Sequence, residues 1–156
     1  RRFNMAASAW QLYNEAKKYI GNGTITLGAG VFKMVLAKAS SNASTFTISV
    51  YSELTNEIAA AGGYVAGGRN LVPATAQWVT GASAKQMKFT MSAVGLAFTA
   101  SGGSLVDIKY AVLRNSTGAG AGKLLCFCQL SSANFTVASP NTLTVLPAAT
   151  GIFTLT

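Results

Sequence analysis

Histidine is absent from the chain, and its acids are Glu15, Glu53, Glu57 and Asp107, four in all. That removes most of the side chains on which general acid/base catalysis and metal binding draw. Glu53 and Glu57 stand i,i+4 and would share one face if Ser52 to Ala60 formed a short helix opened by Ser52, the minimum geometry for a carboxylate pair. We read them instead as part of a solvated turn or as an inter-subunit contact to a basic partner. Ser83 with Lys85 is a formal Ser-Lys nucleophile pair, of a kind that a hydroxyl-rich chain supplies in many places by accident. Cys126 and Cys128 lie in the apolar run Leu124 to Leu130, where a strand would point both to one face about 6 to 7 Å apart, so that bridging them would distort it. With no further Cys and no His to complete a site, they read as two small reduced core residues.

Gly118-Ala-Gly-Ala-Gly-Lys123 has the look of a phosphate-binding loop, because a Gly-rich turn can aim backbone N–H groups at an anion. The spacing argues against it. A Walker loop needs Gly where Thr117 stands and Ser or Thr where Leu124 stands, and it leads into a helix rather than a strand. We read a flexible hairpin loop. Four matches to the glycosylation sequon, at Asn22, Asn42, Asn115 and Asn134, are what a chain rich in Ser, Thr and Asn produces by chance.

If chemistry is scarce, area is not. Half of the 156 residues are hydrophobic and only 10% are charged, against roughly 25% in ordinary soluble domains. Such a composition excludes a disordered, solvated chain. It also excludes a membrane-spanning run, since Lys, Asn, Ser, Thr or Gly interrupts every apolar stretch before about 18 residues. The positive mean hydropathy, +0.37, then calls for strands buried on both faces, some against the chain's own core and some against a partner. The formal charge of +8 draws the chain toward acidic partners. Its basic residues come in no block longer than two, and the aromatic residues do not interleave with them on one face, which argues against a nucleic-acid arm or single-strand platform.

Elements follow from periodicity. From Asn4, the apolar positions Ala6, Ala9, Trp10, Tyr13, Ala16 and Ile20 recur at helical steps, with Asn4 as N-cap, Gly21 as the stop, and Lys17 and Lys18 in the last turn. This predicts one amphipathic helix of about four turns, an arm within residues 1–21. From Gly30 the period becomes two. Strands are expected at Phe32 to Ala37, Phe46 to Val50, Met87 to Met91, Val94 to Phe98, Val106 to Val112, Lys123 to Leu130, Phe135 to Val137, Leu143 to Val145 and Ile152 to Leu155. The phase slips at Ser92-Ala93, which suggests a bulge or tight turn. Gly62 to Gly81 has too much Gly for a continuous ladder and too many large apolar anchors for a free linker, so it reads as an ordered crossover loop. The expected fold is mainly β, an antiparallel β-sandwich over residues 30–156 preceded by one N-terminal α-helix, in a single domain spanning 1–156.

One stretch carries a resemblance. Thr55-Asn-Glu-Ile-Ala-Ala-Ala-Gly-Gly-Tyr-Val-Ala-Gly-Gly-Arg-Asn-Leu71 resembles a segment of small virion proteins of tailed bacteriophages, in which an Asn-Glu pair is followed by Gly-Tyr-x-x-Gly-Gly-x-x-Leu. In that family a helix and a strand like Phe32 to Ala37 precede the segment, and a strand like Val106 to Arg114 with an Arg-Asn-Ser-Thr turn follows it. The similarity runs from Trp10 to about Leu130 and stops there. It implies a capsid decoration or cement protein with a jelly-roll sandwich, made reduced in the host cytoplasm and placed on the capsid exterior. It brings no catalytic residue.

Sequence and resemblance together lead to one expectation. The chain is a non-enzymatic virion structural protein that binds the major capsid protein and copies of itself, with no metal, cofactor, small-molecule substrate or membrane partner. The contact anchors would be Trp10, Tyr13, Tyr64, Arg69 and Trp78, since aromatics and Arg dominate interface hot spots. For each aromatic, ordinary core packing is the alternative. Other readings are a tail or head-fibre component whose helix mediates trimer formation, a basic nucleic-acid module, and a glycan-binding sandwich.

Overall fold

A computed structural model of the chain describes residues 2–6, 8–73 and 77–156, the first of these spans as backbone only. In chain order the elements are β1 (Arg2–Ala6), β2 (Gln11–Leu12), α1 (Asn14–Gly21), β3 (Phe32–Lys38), β4 (Arg69–Asn70), β5 (Trp78–Thr80), β6 (Met87–Phe89), β7 (Leu96–Thr99), β8 (Leu105–Asn115), β9 (Leu124–Gln129), β10 (Phe135–Val137), β11 (Thr142–Leu146) and β12 (Phe153–Leu155). The protein is therefore mainly β, with antiparallel sheets and one α-helix. The largest sheet runs β2-β9-β8-β3-β4, and β10 continues beside β8. Two smaller sheets run β1-β11-β7 and β12-β6-β5, and among the described pairs only β1 with β11 is parallel. No helix among the described residues is long and apolar enough to cross a membrane.

The central sheet explains the hydropathy. Its three middle strands alternate correctly, but both phases are buried. Phe32, Met34 and Leu36 of β3 stand opposite Asn115, Leu113 and Ala111 of β8, and Cys126 and Cys128 of β9 extend that face. Phe32 meets Phe89 of β6 edge-on at 4.9 Å, so this face packs on a smaller sheet. The opposite face carries Val35, Val112 and Phe127. It is covered by the chain itself: Tyr13 lies 5.1 Å from Phe127, Phe46 lies 5.3 Å from it, and the Tyr13 hydroxyl donates to the Ala43 carbonyl at 2.6 Å. Both cysteines are free and buried, and burial pushes both thiols well up from their ordinary range, which leaves them inert.

Three expectations need correction. The helix does not begin at Asn4. Residues 2–6 form β1 along β11, Ser8 N–H donates to Gln129 at 3.2 Å, and β2 pairs with β9. Of the expected helix only Asn14–Gly21 is helical; it stops at Gly21 as expected, and Gly23 beyond it takes the left-handed turn. The free edges of β9 and β11 offer hydrogen bonds that a marginal, short helix does not replace, so pairing overrides the local period. The second correction is Phe46 to Val50, which is not a strand of the β3 sheet. Asn42 accepts from the Thr55 N–H at 2.9 Å and donates to the Glu53 carbonyl at 2.8 Å, folding residues 40–55 into a loop, and Val50 merely bridges Lys123. The third concerns β8. Its register shifts against β3 between Ala37 and Lys38, Asp107 adopts φ 63, and Val106 is left 45% exposed instead of sharing the face of Tyr110 and Val112.

Tyr13 is the polar anchor of the covering loop. Tyr13→Phe keeps the ring and strands the buried Ala43 carbonyl, so it should lower unfolding stability by about 1–3 kcal/mol in a urea titration.

Candidate functional site

The segment of the resemblance is an excursion from the outer edge of β3. Lys38 N–H donates to the Asn56 carbonyl at 2.9 Å, Glu57 bridges Ala37, and Ile58 N–H donates to Leu36 at 3.1 Å. The chain then leaves the edge and returns to it as β4, where Arg69 faces Met34. Between these two points ten residues loop outward.

One carboxylate closes that loop. Glu57 is half-buried and accepts three donors: Oε1 takes the Tyr64 hydroxyl at 2.5 Å and the Gly67 N–H at 2.8 Å, and Oε2 takes the Tyr51 hydroxyl. Tyr64 in turn accepts the Leu36 N–H at 3.1 Å, which ties the ring to β3. Arg114 donates through Nε to the Gly67 carbonyl at 3.0 Å and lies 4.4 Å from the centre of the Tyr51 ring. A glycine thus stands between the carboxylate and the guanidinium, its N–H on one and its C=O on the other. Burial, followed by the hydrogen bond to Glu57 and its charge, pushes the Tyr51 hydroxyl up to about 12, with the Arg114 cation opposing. Tyr64 is pushed up as well, again mainly by burial.

The second glycine pair has a steric reason. Gly67 and Gly68 adopt φ 87 and 81; a Cβ on Gly68 would sit 2.2 Å from the Met34 carbonyl oxygen, and one on Gly67 would meet the Arg114 guanidinium at 2.8 Å. On the other side of the loop, Ser101 N–H donates to the Gly62 carbonyl at 2.9 Å, joining it to the end of β7. Arg69 spans the same gap, its Nη1 donating to the Ala97 carbonyl of β7. Tyr64 and Phe98 lie with ring centres 6.1 Å apart beneath a cleft of about 240 Å³. Gly63, Val65, Gly68, Arg69 and Thr99 complete its lining.

The five anchors do not form one surface. Tyr64 and Arg69 are brought together in this cleft, Tyr64 only 5% exposed and Arg69 exposed. Trp10 is buried and lines a second cleft with Ile152 and Phe153, while Trp78 is half-buried against Phe153 at 6.4 Å. Tyr13 is wholly buried, which removes it from any contact surface. The crossover loop reading of 62–81 resolves into this excursion, β4 and β5, with its residues 74–76 outside the described residues.

Glu53 and Glu57 are not a carboxylate pair, which corrects the short-helix expectation. Only Tyr51–Glu53 forms a 3-10 turn, and Glu53 accepts the Ser49 and Val50 N–H groups at 2.6 and 3.3 Å, bonds that lower its pKa. Gly118 to Lys123 is a hairpin connection between β8 and β9 with a single 3-10 turn. Among the described residues, no three His, Cys, Asp or Glu side chains gather as a metal group. What sequence reasoning missed is Glu57 itself. Its partners lie six residues before it and seven and ten after it, and only the clustering of Gly, Tyr and Glu in one short stretch hinted at them.

Comparison with protein-family models, curated proteins and solved structures finds no match.

Two outcomes follow. Gly68→Ala should cost about 2–4 kcal/mol through backbone strain and the clash with Met34, whereas Ala66→Ser at the exposed tip should stay within about 0.5 kcal/mol, both read by thermal or urea unfolding. Because Tyr51 is raised in the folded state, its contribution to stability is complete below about pH 10 and is lost as pH climbs through about 12. Alkaline unfolding followed with tyrosinate absorbance should show that loss, and Tyr51→Phe should diminish it.

Proposed function

We propose that the chain is a non-catalytic virion structural protein of the tailed-phage decoration or cement type, which binds and stabilises a capsid lattice from outside. In this reading its sheets close on one another as a jelly-roll sandwich, and it works with further copies of itself on the major capsid protein. The observation that carries the reading is the loop between Glu57 and Arg69. The stretch bearing the resemblance spends Glu57, Tyr64 and both glycine pairs on holding a fixed outward shape, and leaves Val65, Ala66 and Arg69 exposed at its surface. A rigid projection costs little entropy on docking.

The mechanism is mass action. A protein that binds only the assembled lattice stabilises it by about 2.7 kcal/mol per site at a hundredfold excess over Kd, and repeated weak sites add through avidity. Positive charge speeds the encounter with an acidic surface at low salt. The alternative, a tail or head-fibre component, would ask α1 to mediate trimer formation, and the 8 residues of α1 resting on β9 favour the decoration reading over it.

Purified chain added to emptied capsids that lack it should bind, more tightly at low salt, and raise their melting temperature. Absence of binding would refute the reading, and binding without a melting shift would replace stabilisation with display.

A further inference from the structure

The carboxylates account for the charge. Glu15 pairs with Lys18 at 3.4 Å, Glu53 accepts backbone N–H groups, Glu57 accepts Tyr51, Tyr64 and Gly67, and Asp107 accepts the Asn134 amide. All four acids of the chain are therefore engaged inside it. Arg69 meets none of them: Lys18 with Glu15 is the one ion pair among the described residues. Its guanidinium has five N–H donors, and one nitrogen is fixed on the Ala97 carbonyl, so the fork is held in place with donors to spare.

Beside that fork the wall is apolar. Val65 is 71% exposed at the rim, and the Phe98 and Tyr64 rings form the floor of the cleft of about 240 Å³. The lining holds a single cation, whereas a nucleic-acid backbone is gripped by several.

We propose that this cleft is the docking point for an acidic protein segment, one that sets a carboxylate on the free side of the Arg69 fork and an adjacent apolar side chain between Val65 and Phe98. The inference rests on the decoration reading in taking that segment to belong to the capsid lattice. Arg rather than Lys suits the task, because its planar fork takes a carboxylate in two parallel hydrogen bonds while staying anchored to β7.

The test titrates the full, isotope-labelled chain with the capped peptide Gly-Glu-Leu-Asp-Gly, its neutral Gly-Gln-Leu-Asn-Gly counterpart and a short single-stranded oligonucleotide, followed by amide chemical shifts. The expected result is shifts from the acidic peptide centred on Gly63, Val65, Gly68, Arg69 and Thr99, with affinity at least tenfold weaker for Arg69→Gln and for Val65→Asp and unchanged for Lys85→Gln. No shifts, equal binding of the neutral peptide, shifts spread over the lysines, or stronger binding of the oligonucleotide at the same amides would each overturn it. If the wild-type chain adds to capsids and a folded Arg69→Gln variant adds equally well, the cleft proposal falls and the capsid reading stands. If the wild type does not add, the capsid reading falls, and the peptide titration alone decides the cleft.

Discussion

A half-buried carboxylate must be given donors or it destabilises the fold, and Glu57 is given three. Those donors come from Tyr51, Tyr64 and the Gly67 backbone, so one side chain fixes the turn before the loop, the ring beneath it and the peptide at its far end. Arg114 closes the circuit from β8 through the Gly67 carbonyl. The conformation of the whole Glu57–Arg69 stretch depends on this arrangement, and with it the placing of Arg69 on β7. The glycines serve the same end: side chains at 67 and 68 would push Arg114 and β3 away from the groups they hold.

The second constraint is the central sheet's need for cover on both faces. Strands β3, β8 and β9 are buried nearly throughout, which is unusual for antiparallel strands that normally leave one face to water. A smaller sheet takes one face through Phe89, and residues 40–55 with Tyr13 take the other. The apolar excess in the composition is consumed largely inside the chain. What reaches solvent among the described residues is a sparse set of apolar side chains, Val65 and Val94 the most exposed of them, in a chain whose net charge is positive.

Much of this was legible in the sequence where a single strong period acts. The alternation at Phe32 to Ala37, the apolar run at Leu124 to Leu130 and the Gly-rich hairpin before it all gave the observed strands and turn, and the two cysteines are free and buried as their spacing implied. Non-local contacts were not legible. The helical stripe from Asn4 was real as a pattern, but residues 2–6 find their partners 140 positions away in β11. The period at Phe46 to Val50 yields to side-chain bonds from Asn42, and the bulge near Asp107 reverses the face of Val106. At the candidate site, Tyr64 and Arg69 were both singled out for contact, and the cleft brings them together, Arg69 exposed and Tyr64 nearly buried in its floor. Glu57, read as a solvated turn, proves to be the organiser because its donors come from three turns of the chain and Arg114 stands 47 positions from Gly67.

The claim most exposed to test is that Glu57 and Tyr64 act as one unit in holding the loop. A double-mutant cycle of Glu57→Gln and Tyr64→Phe, measured by urea unfolding, isolates their interaction from the rest of the fold. The account predicts a coupling energy of about 1–3 kcal/mol, with the second substitution costing far less once the first is made. Losses that simply add, to within about 0.3 kcal/mol, would contradict it.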